Sequence, residues 1–150
     1  MDRAIAESFQ FLVDQYGFRC VPTDDGTSYQ SPSLNIAPTF NERDGFDTHL
    51  FFPAQGPERV AVGTILGALG VPKPHDARAH AAFIASNLPK LTALSAEVYR
   101  DLAALRFWHA DAWRKQWGTG ISLDQASIAS ESGRLVQIKE FFGGNGAKVA

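Results

Sequence analysis

Cysteine is almost missing from this chain: Cys20 stands alone among 150 residues. An intramolecular disulfide is therefore impossible, and a zinc site built from several thiolates is excluded. A long apolar run is missing too. Nothing approaches the roughly 18 uninterrupted apolar residues that mark a membrane span. The most apolar stretch, Val60 to Val71, is interrupted by glycines. Neither sign of charge prevails: the net charge is −2 and the pI is close to 6.0. No global field draws the chain to nucleic acid or to anionic lipid. The N-terminus carries Asp2 and Glu7 and has no apolar h-region, so it does not read as a signal peptide.

Local chemical motifs are equally scarce. There is no G-x-x-x-x-G-K-[ST] phosphate loop, no G-x-G-x-x-G after a strand, no G-x-S-x-G and no H-E-x-x-H. Gly63, Gly67 and Gly70 are spaced to let helices pack closely, not to cradle phosphate. These absences set the expectation of a cytoplasmic protein with no membrane segment, no nucleic-acid partner, no cofactor, no metal and no assembled catalytic motif.

What is present suffices for one core. A hydrophobic content of 45% over this length supports a single globular domain spanning residues 1–150. Ile5, Phe9, Leu12 and Tyr16 recur at helical spacing, so residues 2–16 are predicted as a helix stopped by Gly17. Phe18, Cys20 and Val21 begin a strand. From Thr27 to Phe52 the period changes to alternation. Leu34, Ile36, Pro38 and Phe40 share one face; Phe46, Thr48, Leu50 and Phe52 repeat the pattern after the turn "NERDG". Asp47, His49 and Phe51 take the opposite face. Pro38 lacks an amide hydrogen and is placed at a sheet edge or a bulge.

Helical periods dominate after Pro57, which suits a first helical turn, with Gly70 as a cap and a short strand at Val60 to Val62 as the competing reading. Asp76 is read as an N-cap, and Pro89 as the start or the kink of a helix. One long amphipathic helix is predicted from Leu91 onward. It aligns Leu94, Val98, Leu102, Leu105, His109 and Trp113, with Trp117 and Tyr99 at the edge of the stripe. Residues 134–142 fit either a helix or a last strand, and a frayed tail is expected from about 143. The fold class expected is α+β: an N-terminal helix on an antiparallel sheet of about four strands, then a helical C-terminal half.

Few residues invite chemistry. His109 sits in an apolar stripe, but Leu105 and Trp113 occupy the positions one turn away, so it reads as a core histidine. His75 and His80 are five apart, an awkward spacing for a shared metal on one helix. Asp47 and His49 alternate onto one strand face and lack a third ligand. Cys20 reads as a small buried residue with no nucleophile signature around it. The acidic turns stand out most: Asp24 and Asp25, then Glu42 and Asp44, continuing into Asp47. Turn chemistry and solvation explain such residues in general; as a patch they would meet a basic partner and speed its association.

The order F-x-F-L-V-x-x-Y-G-F, then S-Y-Q-S-P-S-L-N-I, then T-I-L-G-A-L-G resembles the small immunity proteins of bacterial polymorphic toxin systems and related uncharacterised bacterial domains. The residues that carry it are Phe9, Phe11, Leu12, Tyr16, Gly17 and Phe18, then Tyr29, Ser31, Leu34 and Ile36, then Leu66, Leu69 and Gly70, within about residues 9–70. The resemblance implies a non-catalytic protein that neutralises a cognate toxin by direct contact, with Asp24, Asp25, Glu42, Asp44 and Asp47 as the partner-binding candidates. The alternatives are a small enzyme using His49, Asp47 and His109, or a subunit of a larger assembly joined through the C-terminal helix.

Overall fold

A computed structural model describes residues 3–24, 26–42, 45–105 and 125–146, with the side chains of the last segment described from 133 to 143. The N-terminal apolar stripe forms α1 (Arg3–Phe9) and α2 (Phe11–Asp14). These replace the single expected helix because the Gln10 amide reaches the Glu7 carbonyl, three residues back, at 3.4 Å. Ile5, Phe9 and Leu12 are buried as their spacing predicts. Gly17 adopts φ 70°, and the Phe18 amide bonds the Leu12 carbonyl at 2.9 Å. That is a Schellman end, which turns the chain and tucks Phe18 into the core.

Among the described residues five antiparallel strands follow in sequence order: β1 (Arg19–Thr23), β2 (Gly26–Gln30), β3 (Asn35–Asn41), β4 (Gly45–Phe51) and β5 (Val60–Ala61). The fold is α+β. The fifth strand is the short one that competed with a helix at Val60, and Pro57 lies in the loop before it. Alternation succeeds along β4: Phe46, Thr48 and Leu50 are buried, while Asp47, His49 and Phe51 are half-buried on the other face. Leu34 and Ile36 are likewise buried, but Phe40, at the end of the same alternation, is 58% exposed.

Two further expectations are corrected. Pro38 is in β3, the central strand of the five, facing Thr48 of β4. The ladder between β2 and β3 is registered at Gly26–Thr39 and again at Tyr29–Ile36, and it lapses between them. The lapse covers Pro38, which has no amide hydrogen to contribute. Cys20 is exposed, not buried: β1 is an edge strand, and most of its residues face water.

Among the described residues the helices after the sheet are α3 (Val62–Ala68), α4 (Ala77–Thr92), α5 (Ala96–Ala103) and α6 (Gln125–Gly146). Asp76 caps α4, its carboxylate accepting from the Ala79 amide at 3.0 Å. Pro89 lies inside α4, which continues to Thr92. The long helix expected from Leu91 is interrupted, because the Ser95 hydroxyl accepts from the Val98 amide at 3.2 Å and starts α5 afresh. Leu91, Leu94, Leu102 and Leu105 are nevertheless all buried. His109 and the three tryptophans lie outside the described residues. Residues 134–142 are helical, in α6, whose backbone breaks at Gly143 (φ 65°) at the start of the expected tail. Ile138 and Phe142 are buried, and the Phe142 ring packs 5.0 Å from that of Phe83 in α4.

Candidate functional site

The alternation that buries Thr48 turns its neighbour Asp47 to the other face of β4, towards the head of α3. The first amides of a helix have no intrahelical acceptor, and Ala61, at the cap position of α3, has no side-chain oxygen to offer. Asp47 supplies it from the neighbouring strand. Its Oδ1 accepts from the Gly63 amide at 3.0 Å and from the Thr48 amide at 2.7 Å. Gly63 must be glycine for this approach. A Cβ there would fall 2.6 Å from Cε1 and 2.7 Å from Nδ1 of His75, and 3.1 Å from Oδ1 of Asp47.

His75 is exposed, in the loop before the Asp76 cap, and His80 lies one turn inside α4 with 0% exposure. Both nitrogens of His80 are engaged: Nε2 lies 2.6 Å from the Pro74 carbonyl oxygen and Nδ1 2.8 Å from the Thr48 hydroxyl. A carbonyl can only accept, so Nε2 carries the hydrogen and, in the neutral ring, Nδ1 accepts from Thr48. Burial pushes the His80 pKa below its ordinary value. The Pro74 carbonyl, Asp47 and Asp76 pull the other way, while His75 adds to the depression. Burial also lowers the pKa of His49, helped by the Arg59 charge and opposed by Asp47.

Donor atoms of Asp47, His75 and His80 all lie within 4.8 Å of one another. The expectation that His75 and His80 are badly spaced for one site assumed a shared helix. The Asp76 cap leaves His75 off the helix, free to turn back towards His80. Beside this cluster is a cleft of about 760 Å³ lined by Thr39, Asp47, His49, Arg59, Thr64 and His75, among others, with Leu102 of α5 and Leu105 just beyond its end contributing apolar wall. That volume lies within the range of small-molecule sites. Asp47 and His49 of the enzyme alternative therefore do share one wall, while its third member, His109, is outside the described residues.

The acidic turns are placed by the meander. Thr23 pairs with Gly26 and Asn41 with Gly45, so the β1–β2 and β3–β4 turns close at the same end of the sheet. Asp24 and Glu42 are exposed there; Asp25 and Asp44 lie outside the described residues. Asp47 differs from these, being half-buried and committed to backbone amides. Phe40 has no place in the sequence reading of the acidic patch, yet it is exposed at this same end. Its position at the end of an apolar alternation was the available signal. Among the described residues no helix is long and apolar enough to cross a membrane. No family model, curated protein or solved structure matches the chain.

Proposed function

We propose that this chain is a non-catalytic binding protein that neutralises a basic protein partner by direct contact, as an immunity protein does its toxin. The observation that carries the reading is the turn end of the sheet. There Phe40, 58% exposed, stands between the acidic turns that hold Asp24 and Glu42. An exposed aromatic at the same sheet end as acidic turns matches the anatomy of energetic interface centres, where a large ring anchors and nearby charge guides approach. Asp25 and Asp44 extend the acidic composition of the same turns. The reading places the protein in the cytoplasm, in keeping with its one free cysteine.

The partner is to be recovered by co-purification from the native host and its affinity measured for wild type and Phe40→Ala. An aromatic anchor of this kind is worth about 2 kcal/mol or more, so the affinity falls at least about thirtyfold. Unchanged affinity would overturn the anchor role. The cleft favours a second reading, a small enzyme that uses Asp47 and His49 for proton transfer. A hydrolytic or transfer activity abolished by His49→Ala, with the fold intact, would replace the binding reading with that one.

A further inference from the structure

We propose that Asp47, His75 and His80 bind one divalent transition-metal ion of the zinc class, at the point where β4, the loop before α4 and α4 itself meet. The donors come from three separate elements, yet their ligand atoms all lie within 4.8 Å of one another. Around zinc, with bonds of about 2.0–2.2 Å, ligand atoms stand roughly 3.4 Å apart. Closing that gap requires side-chain movements of about 1 Å, and exposed His75 can make the largest share. Two imidazoles and a carboxylate select zinc, cobalt or nickel over calcium and magnesium, which prefer all-oxygen sets.

The surroundings of the three residues match those of metal ligands. A metal-bound histidine ordinarily donates its other ring hydrogen to a carbonyl or carboxylate, which fixes tautomer and orientation. His80 makes that bond with the Pro74 carbonyl at 2.6 Å, leaving the lone pair on Nδ1. The hydroxyl of Thr48 holds that lone pair at 2.8 Å and yields it to the ion. Asp47 is oriented by two backbone amides that both bond Oδ1. Gly63 provides the space, since a Cβ there would collide with the His75 ring. Asp47 and His75 line the cleft, so a fourth coordination position opens towards it. Three protein donors with an open position is the arrangement that lets a bound water or an incoming ligand reach the metal.

The test uses the full chain, stripped with chelator and dialysed, titrated calorimetrically with ZnCl₂ and spectroscopically with Co²⁺. The expected result is one saturable site, with the visible absorption of low-coordinate cobalt. His75→Ala, at an exposed position that leaves the core untouched, weakens Zn²⁺ binding at least about tenfold. Cys20→Ser, on the distant edge strand, binds like wild type. Thr48→Val, which removes the competing hydroxyl but not a ligand, binds as tightly as wild type or more so. No saturable binding by wild type would overturn the proposal. So would wild-type affinity in His75→Ala, or loss of the site in Cys20→Ser or in folded Thr48→Val.

Discussion

Replacing Thr48 with valine isolates one hydrogen bond at nearly constant volume. Thr48 and His80 are each 0% exposed, and the Thr48 hydroxyl lies 2.8 Å from Nδ1 of His80. Valine fills the same space and suits a strand, so neither a cavity nor a loss of strand propensity follows. What changes is that Nδ1 becomes a buried acceptor without a donor, beside the Phe46 ring at 5.0 Å. Leaving such a group unsatisfied costs about 1–3 kcal/mol. The Nε2 bond to the Pro74 carbonyl blocks the simplest escape, because exchanging the tautomer would leave that carbonyl facing a lone pair. Urea denaturation in chelator should therefore show a lower midpoint with an unchanged slope, since the area exposed on unfolding is the same. A midpoint equal to that of wild type would refute the assigned tautomer, in which Nδ1 accepts from Thr48.

Two other outcomes follow from the same packing. Leu105 is buried beyond the end of α5, so Leu105→Ala should cost about 2–5 kcal/mol in denaturant, and an unchanged midpoint would contradict its burial. His80 and His49 both have folded pKa values below the 6.5 of an unperturbed histidine, chiefly through burial. As pH falls through about 6.5 the unfolded chain takes up protons first, so stability declines towards acid, by at most about 1.4 kcal/mol per pH unit for each histidine. The decline ends once the folded ring also protonates. Denaturation midpoints in chelator between about pH 7.5 and 5.5 measure it, a range above most carboxylate titration; a flat or rising profile towards acid would contradict the lowered pKa values of buried His80 and half-buried His49.

The parts of the fold that could be read from sequence are those fixed by a local period or a local bond. Along β4 one face must be dry, so Phe46, Thr48 and Leu50 declared themselves by alternation. Gly17, Gly70 and Asp76 act within a turn of their own position, and all three terminate or start helices as expected. The misreadings come from what lies outside the segment. Burial of Cys20 would need a layer over an edge strand, which the sequence around it does not encode. An edge or a bulge is expected for Pro38 only if the ladder is otherwise full, whereas β2 and β3 keep one register and leave a gap beside it. The Leu91 stripe continued across Ser95 because the buried leucines keep facing inward on both sides of the new cap.

The Asp47–His75–His80 cluster was hidden for the same reason, since it closes only when α3 and α4 fold back on β4. Asp47 was grouped with the solvated turn carboxylates by proximity in sequence. Strand alternation already set Asp47 beside His49 on a sheet face, apart from Asp24 and Glu42, and that assignment is the one the half-buried position of Asp47 follows.

Charge reversal at the acidic turns tests the functional account most directly. Asp24, Asp25, Glu42 and Asp44 are to be replaced together by lysine, leaving Asp47 and its backbone bonds in place. The association rate with the recovered partner is then measured at low and at high ionic strength. Complementary charge acts mainly on encounter and is screened within about 10 Å at 0.1 M salt. The account predicts an association rate lowered at least about tenfold at low salt, with the difference shrinking as salt rises. An association rate equal to that of wild type at low salt would contradict it.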